Sequence, residues 1–335
     1  MKSYFKFNLQ GSALLPIWLC YLVFILSRYL PILYQFKIIS PPDISAVWAF
    51  SISMSFLVIA LVLMFYVTKL IIENVEVKGQ TFHFKASILR FIGLLFLNLL
   101  LIISTLFIYT PWAIRSFHRF FSGSISYNDG NFNFMGRGSY LLLIFIFGLI
   151  VPVFIASSAI MHFFTGDVFF TAGKVNMEQL NKIGYSYQII MAFVVIPYTY
   201  LFYNWLFNFT YKNYFINWEV DFWLGCGKIF KELFLSIITL GIYIPMALLN
   251  LYKYFIERTV MQSGEGSHSF GFDLDAKKDY VFVLKQTLLS IVTLGFYYPW
   301  AICKVGALVL GKTFALSEID ETPKMEEVLE PELLD

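Results

Sequence analysis

The stretch Thr293-Leu294-Gly295-Phe296-Tyr297-Tyr298-Pro299-Trp300-Ala301 decides how the chain is read, because it recurs. Thr239-Leu240-Gly241-Ile242-Tyr243-Ile244-Pro245-Met246-Ala247 repeats it, and Thr105-Leu106-Phe107-Ile108-Tyr109-Thr110-Pro111-Trp112-Ala113 repeats it in weaker form. Each copy sits late in a long apolar run and reads as a helix break. Gly ends a helix at little cost in the left-handed conformation, and Pro restarts one in its first turn, where no N–H is needed. A Thr hydroxyl bonds back to the preceding turn and eases the bend. Tyr and Trp suit a membrane–water boundary. The helix-break residues are therefore Thr105, Pro111, Thr239, Gly241, Pro245, Thr293, Gly295 and Pro299. Two readings stand: the break only shapes the backbone, or it lines a substrate or ion path, as interrupted helices do in transporters.

Of the 335 residues, 59% are hydrophobic, 20% aromatic and 14% charged. Soluble domains carry about 25% charged residues, so this surface is not built for water all round. Several apolar segments exceed the roughly 18 residues that cross a hydrocarbon core. The composition predicts an all-α polytopic membrane protein of about seven membrane-embedded helices, three of them interrupted, with short β-hairpins in the links. The net charge of +2 gives no polybasic argument for nucleic acid. Cys20, Cys226 and Cys303 are far apart and unaccompanied by His, which argues against a metal or disulfide framework. The first apolar segment, Ala13–Tyr34, has no small-residue cleavage site and contains Arg28, so it is expected to remain as a span.

Strand signals punctuate these helices. Tyr4–Gly11 alternates aromatic and polar residues. Lys78-Gly79 and Asp129-Gly130 read as tight turns between alternating arms, and Ser263–Gly266 reads as a further one. Spans are expected near Ser139–Phe164 and Tyr185–Phe209, with Pro152 and Pro197 kinking them. The F-x-F arms form an internal repeat: Phe82/Phe84 and Phe132/Phe134 lie 50 residues apart, as do Val220/Phe222 and Phe270/Phe272, and the two pairs are offset by 138. This gives an N-terminal part (1–72), two repeat halves (73–209 and 210–316) and an acidic, disordered tail (317–335). Isolated hairpins are marginal and exposed edges need partners, so the hairpins are expected to share one face, the cytoplasmic one, and pair into one small sheet.

The repeat resembles the YjgN-like family of bacterial inner-membrane proteins, which is grouped under a domain of unknown function. That family's pattern runs F-x-F-x-G, an apolar helix, T-L-G-I-Y-x-x-W-A, then a basic and aromatic helix. The best match is Glu257–Phe272 followed by Thr293–Lys304 and Thr313. The first copy has Phe107 where Gly is expected, and the second has Met246 in place of Trp. The resemblance covers most of the chain from about Phe82. It implies a multi-pass protein of the bacterial inner membrane and brings no established activity.

No catalytic constellation is present in the sequence. His83, His118, His162 and His268 are scattered, and neither a Walker-type loop nor G-x-S-x-G nor H-E-x-x-H occurs. The expectation is a protein that is not an enzyme and has no cofactor or metal. Charges inside apolar segments point to function; here they are Arg28, Arg115, Lys228, Lys253, Glu257, Arg258, Lys285 and Lys304, with Asn98 and Asn250 as polar companions. Arg115 and Lys304 fall about one turn after their motif prolines. With Trp112 and Trp300 they are the candidate ligand or lipid-headgroup contacts, the alternative being plain interface anchors. Two functions follow: a transporter or channel-like protein for a small or amphiphilic molecule, lipid or anionic, or a non-catalytic scaffold or assembly factor with a membrane-protein partner. Membrane lipids are the expected partners in either case.

Overall fold

Five strands lead into helix pairs and five strands lead out of them, and the chain alternates between the two. The computed structural model describes residues 2–27, 46–164, 170–171, 174–175, 177–263 and 266–318. Arg28, the Pro41-Pro42-Asp43 link, the Gly264-Glu265 turn and the acidic residues from Asp320 onward lie outside them. The first unit is β1 (Lys2–Phe7), α1 (Gly11–Ser27), α2 (Ala46–Glu73) and β2 (Val75–Val77). The second is β3 (Gln80–Thr81) with β4 (His83–Phe84), α3 (Ile88–Ser104), α4 (Thr110–Gly123) and β5 (Ile125–Tyr127). The third runs from β6 (Gly130–Phe134) through α5 (Gly138–Phe145), a π-helical turn at Ile146–Ile150 and α6 (Val151–Phe164). It continues with the small pair β7 (Phe170–Thr171) and β8 (Lys174–Val175), α7 (Met177–Leu206) and β9 (Asn208–Tyr211). The fourth is β10 (Tyr214–Trp218), α8 (Phe222–Ile238), α9 (Ile244–Ile256) and β11 (Thr259–Ser263). The fifth is β12 (Gly266–Phe272), α10 (Ala276–Val292), α11 (Tyr298–Lys312) and β13 (Thr313–Glu318).

These strands form one antiparallel sheet of eleven, in the order β3-β2-β1-β13-β12-β11-β10-β9-β6-β5-β4. Its two end strands are separated only by Phe82, so the sheet nearly closes on itself. The helices follow the same circle: each packs on the next, and α11 packs on α1. The expectation of an all-α protein with about seven spans is therefore overturned. The hairpins pair into one sheet as expected, but that sheet is a nearly closed ring of eleven strands rather than a small one, because each exposed edge leaves backbone N–H and C=O groups unmet until the next unit covers it. Among the described residues, two helical stretches are long and apolar enough to cross a membrane: Gly138–Ile160 and Asn181–Leu206. The interrupted helices are instead antiparallel pairs. A 17-residue helix such as α3 spans only about 25 Å against a hydrocarbon core of roughly 30 Å.

The strand register puts the alternating aromatic residues on one face. Phe132 opposes Tyr211, Phe134 opposes Phe209, Phe5 opposes Val77 and Phe84 opposes Ile125. Residues nearest the helices enter the core: Phe84 with Phe65 and Phe91, Phe134 with Leu141 and Trp205, Trp218 with Tyr200 and Ile229, Phe272 with Leu249 and Val283. Farther out, Phe82 stacks on Tyr127 at 4.7 Å, and Phe132 on Tyr211 at 4.6 Å. Phe82 and Phe132 lie 6.2 Å apart although β5 lies between their strands, which identifies this face as the concave one. The Tyr211 hydroxyl donates to the Tyr127 carbonyl at 2.7 Å, and that of Tyr127 to Val77 at 3.2 Å. Burial pushes both hydroxyls above the usual tyrosine range.

Turn chemistry differs from expectation in one place. The reversal before β6 uses Asn128 (φ 44°) and Asp129 (φ 56°), one residue earlier than Asp129-Gly130. Gly130 is instead the first residue of β6, where a Cβ would come within 2.7 Å of the Tyr211 ring. The expected kink at Pro152 takes the form of the π-helical turn directly before it. Pro197 lies inside α7.

Candidate functional site: the polar cores of the helix hairpins

The three motif copies form the same hairpin tip. Thr105, Thr239 and Thr293 each donate a hydroxyl bond to the carbonyl four residues back, at 2.7, 2.8 and 2.7 Å. Each hydroxyl also accepts from the backbone N–H of Tyr109, Tyr243 or Tyr297 at 3.1 Å. The threonine therefore holds both sides of the reversal. Leu106, Leu240 and Leu294 have φ near 50°, followed by Phe107 (69°), Gly241 (87°) and Gly295 (88°). Two consecutive left-handed residues turn the chain back, and the N–H of the second bonds to Ile102, Ser236 or Ser290 in a six-to-one closure. Pro111, Pro245 and Pro299 then open the returning helices. The leucines at the tips are 82%, 92% and 85% exposed, at the end of each hairpin opposite the sheet.

Seven residues before each threonine, two helical turns, a polar side chain is buried: Asn98 at 2% exposure, Glu232 at 1% and Gln286 at 4%. In the fifth unit, Tyr297 donates to Gln286 Oε1 at 2.8 Å, and Lys304 Nζ reaches the Tyr297 hydroxyl at 2.8 Å. In the fourth, Asn250 occupies the place of Lys304. It donates to Tyr243 Oη at 3.0 Å and to Glu232 Oε2 at 3.3 Å. Lys228 adds an ion pair to Glu232 Oε1 at 2.7 Å. In the second unit, Asn98 donates back to the Leu94 carbonyl at 2.7 Å. The positions equivalent to Lys228 hold Leu94 and Phe282. All three positions carry a side-chain carbonyl; of the three, the fourth unit makes that group ionisable and gives it a cation.

The sequence-derived candidates lie around these cores. Lys304 joins the fifth core and is exposed toward its outer side. Arg115 donates Nε–H to the Gly136 carbonyl of the next unit at 2.9 Å. Trp112 lies where a Cβ on Gly138 would fall 2.7 Å from its ring, and Trp300 stands in the same relation to Gly11. Both indoles thus fill the space left by a glycine at the start of the neighbouring unit's first helix. In the fourth unit Met246 replaces the Trp, and the corresponding helix start is Ala276. Glu232, Gln286 and Asp279 were missed by sequence reasoning. The constant seven-residue spacing was the available signal for the first two. Asp279, 2% exposed, pairs with Lys312 at 2.6 Å and also accepts from the Asp275 backbone N–H.

Two further features border the site. Trp18 of α1 donates its indole N–H to the Gly295 carbonyl at 2.8 Å and packs on Tyr298 at 4.3 Å. Beside them, between α1, α2 and α11, lies an apolar groove of about 360 Å³ lined by Leu14, Ile17, Leu61, Met64 and Ile302. Among the described residues, no group of His, Cys, Asp or Glu is arranged to hold a metal ion.

The class these features define is a nearly closed ring of strand–helix-hairpin–strand units with a polar group buried in its motif-bearing hairpins. The model of a bacterial family of unknown function, DUF898, matches residues 2–129 and 105–270, and the chain belongs to that family. No curated protein and no solved structure matches it.

Proposed function

We propose that the chain is a multi-pass protein of the bacterial inner membrane that moves a small or amphiphilic molecule, lipid-like or anionic, by way of its helix ring. The observation that carries this reading is the Lys228–Glu232 pair within the fourth hairpin, where two equivalent hairpins make do with a neutral amide. Ionisable groups among apolar helices mark substrate and ion paths, because their desolvation has to be offset by a task or a partner. The apolar tips lie opposite a sheet whose convex face carries Lys6, Glu76, Asn133, Thr210 and Gln262 beside Tyr4 and Phe215, which suits a ring seated in lipid with its strands at the water. The groove beside Trp18 and Tyr298 has the size and lining of a site for an apolar chain with an aromatic rim.

The scaffold reading has one observation of its own. The aromatic layer of Phe82, Tyr127, Phe132 and Tyr211 packs the concave face of the sheet, as suits a platform rather than an opening. Vesicles reconstituted with the full chain and a fluorescent short-chain phospholipid separate the two. Exchange of the probe between leaflets, scored by dithionite quenching, is expected to exceed that of protein-free vesicles and to be lost in the double variant K228M/E232Q. Exchange equal to empty vesicles, with a stoichiometric protein partner on mild extraction, decides for the scaffold.

A further inference from the structure

The loop between β6 and α5 is fastened from three sides. Arg115 of α4 holds the Gly136 carbonyl at 2.9 Å, Trp205 of α7 donates its indole N–H to the Arg137 carbonyl at 3.0 Å, and Met135 N–H bonds to Asn208 at 2.8 Å. This fixed loop presents the Arg137 side chain, which makes no ion pair or hydrogen bond among the described residues. Arg137 is also the residue before α5, and α5 has no side-chain cap. The first amides of the helix are left open there. A cavity of about 650 Å³ lies against this point, with Arg137, Ser139, Asn204 and Asn208 on its polar side and Leu143 and Phe215 on its apolar side.

Two observations identify the occupant. Residues 78–207 contain eight Lys and Arg against three Asp and Glu, a net of +5, whereas 208–318 contain ten against nine, a net of +1. In the latter stretch, among the described residues, four of the ten cations are paired within the fold: Lys228–Glu232, Lys253–Glu257, Lys278–Asp275 and Lys312–Asp279. Arg137 has no such partner among the described residues and is exposed at the mouth of the cavity, where an anion from outside can reach it. From the cavity an exposed apolar stripe then runs down the same helical stretch through Leu143, Phe147, Ile150 and Phe154. That stretch, Gly138–Ile160, is one of the two long enough to cross a membrane, and α7, which supplies Asn204, contains the other. A free phosphate would use only the upper end of this surface.

We propose that the cavity is a headgroup site for an anionic phospholipid, its phosphate held by Arg137 and the first amides of α5 and its acyl chains along Leu143, Phe147 and Ile150. This rests on the membrane reading above and adds a ligand class and a position to it. Asn204 and Asn208 supply donors and acceptors for a hydroxylated headgroup. The guanidinium fork suits phosphate oxygens in a bidentate manner that a lysine does not reproduce.

The test uses the full chain in detergent, titrated with dioctanoyl phosphatidylglycerol, with phosphatidylcholine of the same chains, and with inorganic phosphate. Phosphatidylglycerol is expected to bind saturably and the other two weakly. Arg137→Gln is expected to weaken it about tenfold or more, the usual effect of losing a charged hydrogen bond. Asn208→Asp, which adds a carboxylate to the lining of the same cavity, is expected to do the same with an unchanged melting temperature. It serves as the readout if Arg137→Gln fails to fold. Phosphatidylglycerol binding that is unchanged in the folded variants, or matched by phosphatidylcholine, overturns the site. Displacement of the lipid by equal inorganic phosphate overturns the lipid assignment. Leaflet exchange that persists while these titrations fail leaves the transport reading standing and removes only this inference; the reverse result removes transport and keeps the site.

Discussion

The α8/α9 hairpin and the α10/α11 hairpin share a tip almost atom for atom yet differ at their centres. Both have a threonine clamping the motif tyrosine at 3.1 Å and both close with the same left-handed pair. One core holds Glu232 with Lys228 and Asn250; the other holds Gln286 with Tyr297 and Lys304. The backbone is thus indifferent to whether the buried group is charged. A buried ion pair is a poor way to gain stability, since its desolvation is only just offset by attraction. The α10/α11 hairpin has a buried pair of its own, Asp279 with Lys312, but at a different place, so the two hairpins differ in where they bury charge rather than in whether they do.

The sharpest way to break this comparison is to make the fourth hairpin neutral in two steps. Lys228→Met alone leaves Glu232 buried without its cation and is expected to destabilise by about 3–5 kcal/mol. Adding Glu232→Gln gives the fourth core the neutral amide found at this position in the fifth and is expected to restore most of that loss. Denaturant unfolding measures both. If the double variant is as unstable as the single one, the ion pair is structural and the two hairpins are not equivalent.

A second comparison concerns how units lock together. Gly138 meets Trp112 so closely that Gly138→Ala is expected to cost about 1–3 kcal/mol through overpacking. Trp112→Met in the same chain copies the Met246 and Ala276 pair, and is expected to recover part of the cost. A double-mutant cycle without coupling would show that the two positions do not act as a lock.

The tips give a smaller effect of opposite sign in two copies. Phe107 adopts φ 69° where the other copies have glycine. Phe107→Gly is expected to be neutral or to stabilise by about 1 kcal/mol, and Gly295→Leu to cost about 1–2 kcal/mol. Melting curves that move both variants in the same direction contradict the equivalence of the tips.

The smallest effect lies where the ring joins its ends, at the contact of β1 with the segment after β12. Lys2 pairs with Asp273 at 3.1 Å, and the Tyr4 hydroxyl donates to the same carboxylate at 2.6 Å. The Tyr4 hydrogen bond, then Lys2, hold the Asp273 carboxyl below its usual value of 3.8. A depressed carboxylate contributes stability that is present above the unfolded value and lost as pH falls through the folded one. Stability is therefore expected to decline slightly more below pH 4 in the wild type than in Asp273→Asn, measured by unfolding at several pH values. The group is exposed, so the difference is small.

The sequence by itself determined the local pieces. Alternation placed β1, the arms at Phe82/Phe84 and Phe132/Phe134, and the tight turn at Lys78-Gly79, because a period of two survives wherever one face is buried. Glycine, proline and threonine at fixed spacing located three chain reversals, since glycine and proline act through their own backbone and threonine through a hydroxyl that bonds the adjacent turns. The seven-residue offset from the motif threonine is legible as well: it joins Asn98, which stands out as an amide in an apolar run, to Glu232 and Gln286, which do not because their helices carry other polar residues. The expectation that the hairpins pair into one sheet follows from their exposed edges; only the tertiary structure decided that the reversals are tight hairpins, that eleven strands make one nearly closed sheet, and that Arg137 and Asn208 border one cavity. Those outcomes depend on backbone edges pairing across long separations, as Tyr4 does with Phe314. Hydrogen bonds between N–H and C=O groups are common to every residue type, so their partners leave no mark in the order of side chains.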